Sequence, residues 1–418
     1  MGAVLADATK HRRRQTLDKM TKGFGLDDAY GKTLDRIGAQ RGSRVKLGLE
    51  VLMWISCSER PLRVEELCHA LAVEVGADHN ADNLPSIETL LTCTSGLVTI
   101  DDQASTARLI HFTLQEYLAA HPSLFITPHS MMAEICLTYL NFQSVCELST
   151  ALHTIPPTTP FLHYASCYWG FHARKEMGES VKRLALQHLR RDANYISANI
   201  LLREEAVGFL ARGDRYRRVS PDLKEFTGLH YITYMGVTGI AIDMVDMKIW
   251  DMNGRDSNGA TPLIWAAKYG NSTLANLLLG QRDVDSTLSD HLGLTALTHA
   301  AKAGHQGVVK LLLERQGTSL NWPDNDGRTP LWYAGGFAHE GVAKLLLERR
   351  DVNPNLSDQY GQTPLSSAAE FGHEAVLKLL LGQRSVNPDL PNKDGRTPLS
   401  IVNHRRSLWT SHRLRPPR

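Results

Sequence analysis

Residues 324–347 read DNDGRTPLWYAGGFAHEGVAKLLL, and this stretch decides the fold. Its Asp-Gly pair predicts a tight turn, because glycine accepts the positive φ that such turns need. Thr329 can cap a helix, and Pro330 loses no hydrogen bond at a first helical position. Farther on, Val342, Leu345 and Leu346 share one face at helical spacing. The stretch therefore predicts a turn, an inner helix and an outer helix.

The Thr-Pro-Leu phrase in this stretch returns every 34 residues. Its copies begin at Thr261, Thr295, Thr329, Thr363 and Thr397, and the second copy reads Thr-Ala-Leu. A fixed period of this length predicts a solenoid, in which each unit covers the apolar faces of its neighbours. Solenoids present an extended binding face and seldom carry an active site of their own. We therefore expect this part of the chain to recognise a partner.

The order of turn, Thr-Pro-Leu, inner helix, Gly-His corner and outer helix resembles the ankyrin repeat. Two units match the Gly-His corner, and two depart from it. The matches are Gly304-His305 and Gly372-His373, and the departures are Asn271 and Ala338-His339. We expect an array of about six units over residues 222–404.

Both ends of the array are expected to be imperfect, because an end unit has only one neighbour. One period before the first copy lies Thr227, which begins a degenerate unit with an outer helix from Ile240 to Met247. The outer helix of the last unit should lie near 408–416, but Pro416-Pro417 does not suit a helix interior. A frayed cap and the loss of the true end both remain open. Residues 405–418 read as an irregular basic tail.

Residues 40–127 follow another pattern, in which three helices precede a β-hairpin. The helices contain Leu47, Val51, Trp54 and Ile55, then Leu67, Ala70 and Leu71 after Pro61, then Ile87, Leu90 and Leu91 after Ser86. The hairpin strands are predicted over 97–100 and 108–112. Thr113 to Glu116 reads as a capping box that opens another helix. This is the order of elements in a winged helix.

Three segments of this module resemble a known family. They are 49–64 (LEVLMWISCSERPLRV), 65–71 (EELCHAL) and 109–122 (LIHFTLQEYLAAHP). They resemble the winged-helix domain that follows the NACHT ATPase in fungal NACHT–ankyrin proteins, which are NLR-like signal-transduction ATPases of the STAND class. Residues 130–226 resemble the helical linker that precedes the ankyrin repeats there, and we assign the linker domain to 128–221. The ATPase itself is missing, and residues 1–39 read as an N-terminal segment with a linker helix.

The predicted fold is mainly α, with a winged-helix module, a helical linker domain and an ankyrin-repeat solenoid. The predicted function is non-enzymatic protein–protein recognition by an NLR-like signalling protein. The family resemblance implies fungal innate recognition or heterokaryon-incompatibility-type signalling, with a NACHT ATPase domain as a partner of the winged helix. The alternative is that the chain is the C-terminal part of an ATP-switched STAND ATPase.

Composition argues against several other classes of function. The 46 basic and 44 acidic residues give a net charge of +2, which offers no reason to expect nucleic acid or a membrane surface as partner. The 6 cysteines form no C-x-x-C pair, which favours reduced thiols and a cytoplasmic or nuclear location. The chain has no H-E-x-x-H motif and no G-x-S-x-G elbow. We therefore predict no catalytic residue, no metal site and no cofactor.

Two motifs point toward nucleotides. Gly31-Lys32-Thr33 looks like the end of a phosphate-binding loop, but Leu26 stands where glycine is required and no apolar strand precedes it. We interpret Asp27 to Ile37 as a helix instead. His111 lies where, by the family resemblance, a winged-helix histidine contacts the phosphates of ADP. In the chain as given, a structural histidine with local hydrogen bonds is favoured, since the sensor role requires an ATPase from a longer product or a partner.

Winged helices often bind DNA, which gives a rival function. Phosphate contacts would need Lys or Arg, and none occurs between Val64 and Ala107. The acids in that interval are Glu65, Glu66, Glu74, Asp78, Asp82, Glu88, Asp101 and Asp102. We expect this face to repel DNA.

The partner-binding surface is predicted at the hairpin tips and at the solvent-facing ends of the inner helices. The residues there are Ser257, Asn258, Lys268, Tyr269, His291, Leu292, Lys302, Asn325, Asp326, Arg328, Phe337, Gln359, Tyr360, Gln362, Glu370, Phe371, Lys393 and Arg396. Tyr269, Phe337, Tyr360 and Phe371 stand out, because aromatic side chains are frequent interface anchors. The alternative is that these aromatic residues are merely tolerated at the surface.

Overall fold

The computed structural model describes residues 25–75, 83–148, 156–190, 200 and 226–403. Over these residues the chain is mainly helical, and the sheet within them has two strands. The predicted fold class, a winged helix with an ankyrin solenoid, is confirmed. Residues 25–188 belong to one unit of the chain, and residues 226–403 belong to another.

The first unit begins with a linker helix and a winged-helix arrangement. The elements are α1 (Leu26–Gly38), α2 (Ser43–Cys57), α3 (Val64–Leu71), α4 (Ile87–Cys93), β1 (Val98–Asp101), β2 (Thr106–Leu109) and α5 (Phe112–Ala120). The apolar spacing predicted these helices because it marks their buried faces. Trp54 of α2 and Leu67 of α3 are fully buried, and Leu90 of α4 is nearly so. Ser86 caps α4, because its hydroxyl accepts from the Thr89 amide.

The hairpin and the helix after it differ from the prediction in two details. The second strand ends at Leu109 and does not continue to Phe112. The next helix begins at Phe112, with His111 and not Thr113 as its cap. The His111 Nδ1 accepts from the Thr113 amide, and the Thr113 hydroxyl lies 2.8 Å from Nδ1 and 2.8 Å from the Tyr30 hydroxyl. The threonine hydroxyl is therefore engaged with α1 and the histidine, so the predicted capping box does not form.

Four more helices follow among the described residues. They are α6 (Pro128–Asn141), α7 (Gln143–Cys146), α8 (Leu162–Lys175) and α9 (Glu179–Leu189), and a 3₁₀ turn at Pro122–Leu124 precedes them. The indole of Trp54 meets the rings of Phe161 and Tyr164 edge to face, at centroid distances of 5.6 and 5.9 Å. This aromatic cluster joins α2 to α8, and such pairs add to the burial energy of each ring.

A buried chain of hydrogen bonds accompanies this cluster. The Glu59 amide donates to the Tyr164 hydroxyl (3.2 Å), and that hydroxyl lies 2.9 Å from Nε2 of His172. The Nδ1 atoms of His172 and His129 are 2.9 Å apart. Burial lowers the pKa of His172 to about 3, so the ring is neutral. A neutral His172 accepts from Tyr164 and donates to His129, which leaves both of its ring nitrogens satisfied.

The second unit repeats a pair of helices. The inner helices are α10 (Gly228–Met235), α12 (Pro262–Lys268), α14 (Ala296–Ala303), α16 (Pro330–Gly336) and α18 (Pro364–Phe371). The outer helices are α11 (Thr238–Met247), α13 (Ser272–Leu279), α15 (Gln306–Glu314), α17 (Glu340–Leu347) and α19 (Glu374–Leu381). Each inner helix packs on the inner helix of the next unit, and the outer helices do the same. The stack thus buries faces that one unit alone would expose.

Threonine begins the inner helices, as the sequence predicts. The hydroxyls of Thr261, Thr295, Thr329 and Thr363 each accept from the amide three residues later. The first repeat, which begins at Thr227, is capped differently. There the Thr227 amide donates to Nδ1 of His230, and the Thr227 side chain accepts from the His230 backbone amide. Its outer helix begins at Thr238, two residues before the predicted Ile240. These bonds satisfy amides that a helix start would otherwise leave without partners.

The last unit is described only in part. The chain is helical over 398–403 after Thr397. The predicted outer helix near 408–416 and the basic tail at 405–418 lie outside the described residues.

The corner between inner and outer helix links each unit to the one before it. In three units, Nε2 of the corner histidine donates to a carbonyl oxygen at the end of the preceding inner helix: His305 to Lys268 (3.1 Å), His339 to Lys302 (3.0 Å) and His373 to Gly336 (3.0 Å). Asn271 departs from the corner motif but keeps the bond, because its side-chain amide donates to the Thr233 carbonyl (2.6 Å). Asparagine therefore replaces the corner histidine without loss of the inter-unit hydrogen bond.

The second departure from the corner motif carries strain. Gly270, Gly304 and Gly372 all have positive φ, and Ala338 at the same repeat position has φ of 62°. A Cβ built on Gly304 would lie 2.6 Å from the His339 ring, which shows how little room this corner leaves. A left-handed conformation costs an alanine about 1 to 2 kcal/mol.

We expect Ala338→Gly to stabilise the array by about 0.5 to 1 kcal/mol, because it relieves this backbone strain. The measurement is the midpoint of urea unfolding. Ala303→Gly is the matched control, since Ala303 is exposed in the last turn of α14 and its replacement should cost about 1 kcal/mol of helix propensity. Equal destabilisation by both changes would contradict the assignment of strain to Ala338.

Candidate functional site

The turns that precede the inner helices form one continuous hydrogen-bonded ladder. The rungs are His291 N to Asn258 O (2.8 Å), Asn325 N to Leu292 O (2.9 Å), Gln359 N to Asp326 O (2.7 Å) and Lys393 N to Tyr360 O (2.9 Å). All eight residues belong to the predicted partner-binding set. The ladder brings them together in a row with the 34-residue spacing of the units, and it fixes the backbone from which their side chains project.

An aspartate holds each of four successive turns closed. One carboxylate oxygen accepts from the amides two and four residues later, as in Asp324 with Asp326 (2.9 Å) and Arg328 (2.8 Å). The same pair of bonds occurs at Asp256, Asp290 and Asp358. Ionised carboxylates make strong hydrogen bonds with backbone amides. The turns therefore keep one shape while their tip residues vary.

The second carboxylate oxygen ties the turn to its own inner helix. It accepts from the side chain nine residues later: Trp265 Nε1 to Asp256 (2.9 Å) and the Tyr333 hydroxyl to Asp324 (2.6 Å). In the unit between them, His299 Nε2 lies 2.9 Å from Asp290. The sequence pattern did not predict these three donors. Each of them nevertheless stands nine residues after its turn aspartate, and this constant spacing could have identified them.

The predicted residues differ in how much of their surface is open. Tyr360 is 57% exposed, Phe371 50% and Phe337 46%. Tyr269 is half-buried, because it packs against the rings of Tyr234 and Trp265. The residues that are exposed are His291, Asn325, Phe337, Gln359, Tyr360, Glu370, Phe371, Lys393 and Arg396. The residues of intermediate burial are Ser257, Asn258, Lys268, Tyr269, Leu292, Lys302, Asp326, Arg328 and Gln362.

Arg328 has a structural role as well as a surface position. Its guanidinium carbon lies 4.8 Å from the centre of the Trp332 ring, and Nη1 lies 2.9 Å from Asp326. Its Nε lies 3.9 Å from the buried carboxylate of Asp358 in the next unit. Only 15% of the side chain is exposed. Arg328 therefore joins two units, and a partner would reach little of it.

His111 lies at the rim of a shallow pocket in the first unit. The pocket has a volume of about 470 Å³, and its lining includes Arg60, Arg108, His111 and Phe112. His111 is exposed and caps α5 through Nδ1. Phe112 is 67% exposed and stacks near the imidazole, with ring centres 4.4 Å apart. The local hydrogen bonds agree with a structural histidine, and a nucleotide role for His111 stays a prediction.

The other nucleotide motif lies inside a helix. Gly31, Lys32 and Thr33 are all within α1, where the ammonium of Lys32 pairs with Asp28 (2.7 Å) one turn earlier. The Thr33 hydroxyl donates to the Ala29 carbonyl, as helical threonines do (2.8 Å). A phosphate-binding loop needs free backbone amides that point at the ligand, and this helical segment has used its own. The predicted helix from Asp27 to Ile37 is therefore observed.

The acids that should repel DNA are not all at the surface. Glu66 is 1% exposed, and its carboxylate receives two hydrogen bonds from Arg60, at 2.7 and 2.8 Å. Although burial raises the pKa of Glu66, hydrogen bonds from Arg60 and Arg63 hold it below its ordinary value. Asp78 and Asp82 lie outside the described residues. Glu66 therefore stabilises the module and does not belong to an acidic face.

Within the part of the chain that the structure describes, no three His, Cys, Asp or Glu side chains converge as metal ligands would. None of the helices there has both the length and the apolar character that a bilayer crossing requires.

Comparison with known protein families identifies two modules. Ankyrin repeats match residues 274–358 and 338–405. The family described as GPI inositol-deacylase, winged helix domain, matches residues 36–125. The chain thus contains ankyrin repeats and a winged-helix domain of a NACHT-associated type. No curated protein matches the chain significantly.

The pair of Asp290 and His299 gives a physical reason to expect that the array loses stability in acid. Burial lowers the pKa of His299, the hydrogen bond with Asp290 opposes this, and the charges of Lys268 and Lys302 lower it further. A histidine whose pKa falls on folding contributes stability that is lost as the pH drops below the ordinary value of 6.5, because the unfolded chain takes up the proton first.

We expect His299→Tyr to reduce the loss of stability between neutral and mildly acidic pH. A tyrosine hydroxyl can donate to Asp290 as Tyr333 does to Asp324 in the next unit, and it does not titrate in this range. The measurement is the urea midpoint at pH of about 7 and about 5, on either side of the ordinary histidine pKa. Tyr333→His is the reverse control and should enlarge the loss. An unchanged pH dependence in both variants would show that the pair does not titrate with folding.

Proposed function

We propose that the chain is a protein-recognition module whose ankyrin array binds a protein partner through the turns and the ends of the inner helices. The observation that carries the proposal is the ladder of backbone hydrogen bonds from Asn258 to Lys393. It presents variable side chains on a fixed frame, and binding to a preordered frame loses little conformational entropy. Ankyrin repeats are non-catalytic modules, which agrees with the absence of catalytic motifs in the sequence.

The exposed aromatic residues are the proposed anchors of the interface. Phe337 and Phe371 occupy the same position in successive units, and each stacks near the corner histidine of its own unit, with ring centres 6.4 and 6.0 Å apart. Rigid aromatic side chains with large open surface are typical of binding hot spots. Tyr360 adds a third open ring at a turn tip.

We infer further that the winged helix and the helices after it couple partner binding to an NLR-type ATPase. The support is the family of the matched domain, which is NACHT-associated, together with an exposed apolar pair next to His111. Ile110 and Phe112 of that pair are 43% and 67% exposed. Apolar side chains open to this degree suit a domain contact.

The alternative function is that of the C-terminal part of an ATP-switched STAND ATPase. The matched winged-helix domain favours it, since domains of this type are associated with NACHT ATPases. His111 would then contact the nucleotide phosphates of that ATPase domain. A transcript that encodes a true phosphate loop before Met1 would decide between the two functions. NLR signalling, the fungal setting and the cytoplasmic location remain proposals.

We expect Phe337→Ala combined with Phe371→Ala to weaken partner binding at least about tenfold, because each anchor contributes roughly 1 kcal/mol or more. The measurement is affinity capture with the full chain as bait, followed by titration of the captured protein. Leu381→Ala is the control, since Leu381 is a 57% exposed apolar residue at the end of an outer helix and lies outside the predicted partner-binding set. Both variants should unfold within about 0.5 kcal/mol of the parent. A partner that binds all three chains equally would refute the assignment.

We expect the purified chain to show no micromolar affinity for ATP with Mg²⁺, because Gly31, Lys32 and Thr33 are helical and His111 caps α5. Isothermal titration calorimetry measures this directly. His111→Asn, which can still cap the helix, should leave the result unchanged. Micromolar binding that His111→Asn abolishes would favour a nucleotide site in this chain.

A further inference from the structure

One position in the inner helices carries a graded charge along the stack. It is the same residue of four successive units: Lys268, Lys302, Gly336 and Glu370. The first two lie in the last turns of α12 and α14, and Glu370 lies in the last turn of α18. Because consecutive inner helices pack side by side, these four residues form one row, which we name the charge row. It runs from two positive charges through a glycine to a negative charge.

The next residue of each unit forms a second row beside the first. It consists of Tyr269, Ala303, Phe337 and Phe371, and we name it the aromatic row. Its two most open rings, Phe337 and Phe371, lie beside the glycine and the glutamate of the charge row. The lysine end of the surface is therefore cationic, whereas the other end combines two open aromatic rings with the carboxylate of Glu370.

The two lysines are positioned by aromatic rings. The Lys268 ammonium lies 4.9 Å from the centre of the Trp265 ring and 5.2 Å from that of Tyr269. The Lys302 ammonium lies 5.6 Å from the centre of the Tyr333 ring in the next unit. Such cation–π contacts hold a flexible lysine in place, which lowers the entropy that it loses on binding an anion.

A separate electrostatic observation places both lysines near one group. The positive charges of Lys268 and Lys302 both lower the pKa of His299, after the larger effect of burial. His299 lies on the inner helix α14 and bonds to the turn aspartate Asp290. The positive charges of the two ammonium groups therefore both reach the region around His299 on α14.

We propose that this face binds an acidic segment of a partner protein in the polyproline II conformation, with two carboxylates about three residues apart over Lys268 and Lys302 and apolar side chains over Phe337 and Phe371. The proposal deepens the proposed function, because it names the chemistry of the partner at the same surface. Glu370 would repel a third carboxylate, so the charge row also fixes which end of the segment lies at which end of the array.

The spacing follows from two standard distances. Packed helices lie about 8 to 10 Å apart, so equivalent residues of neighbouring units are separated by about that distance. A segment in the polyproline II conformation advances about 3.1 Å per residue with three residues per turn, so side chains three residues apart lie on the same face, about 9 Å from each other. A segment that lies along the stack therefore presents every third side chain to successive units.

The test is a selection from a display library of random peptides of about twelve residues, a length that spans four units when extended. Selection is carried out on the full chain, on Lys268→Glu with Lys302→Glu, and on Lys310→Glu with Lys344→Glu. The last pair is the matched control, because Lys310 and Lys344 are exposed, lie on outer helices and are also one period apart. Both double variants change the net charge equally.

The expected result is enrichment of Asp or Glu pairs three apart, followed by an apolar residue at the same interval. Reversal of Lys268 and Lys302 should reduce this enrichment at least about tenfold, because like charges then face each other, and the control pair should retain it. Lys268→Ala with Lys302→Ala provides a second test if the glutamate variant does not fold. Enriched acids without this spacing, enrichment that survives both substitutions, or no enrichment would overturn the proposal. Capture of a folded partner that depends on Phe337 and Phe371 would still leave the proposed function standing.

Discussion

The array depends on the turn carboxylates of four successive repeats. Asp256, Asp324 and Asp358 are at most 9% exposed, and a carboxylate removed from water destabilises the fold unless its oxygens are satisfied. One oxygen closes the turn, and in Asp256 and Asp324 the other accepts from the inner helix. This single group therefore determines the angle at which the turn leaves the helix. The inter-unit ladder requires that angle to be the same in every unit.

The units solve the same problem with different donors. A tryptophan, a histidine and a tyrosine satisfy the carboxylates of three successive units. In the repeat of Asp358, Ser367 stands nine residues after the aspartate, where the other three repeats have a donor. Its buried hydroxyl makes no hydrogen bond in the structure. The carboxylate of Asp358 is instead approached by Arg328 from the unit before it. In the described part of the last unit, Asn392 replaces the aspartate and still closes its turn through two amides. The neutral side chain of Asn392 needs no cationic partner, and the turn of the last repeat has fewer neighbours that could supply one.

The sequence predicted the helices and caps that recur from repeat to repeat. It missed the features that depend on a contact between two particular residues. Period and capping residues identify the helices, because each unit restates the same local preferences. The cap of α5 was wrong, since the Thr113 hydroxyl bonds to Tyr30, which is distant in sequence. The donors at Trp265, His299 and Tyr333 were missed because three unlike residues perform one role. No propensity scale places them together, and only the shared distance from the turn aspartate does. The exposed positions of Phe337 and Phe371 followed from the repeat frame, whereas the partial burial of Tyr269 follows from contacts with Tyr234 and Trp265.

The residues of the predicted interface differ in how much they also stabilise the fold. Arg328 is at the predicted interface, yet it stacks on Trp332, pairs with Asp326 and approaches Asp358, so its loss would disturb two units. About half of the surface of Phe337 and of Phe371 is exposed, and these residues make few such stabilising contacts. Residues of the second kind can change between related proteins without loss of the fold, which is what a surface that acquires new partners requires. The structural frame is thus carried by turn aspartates and corner donors, whereas the specificity that we propose resides in the charge row and the aromatic row.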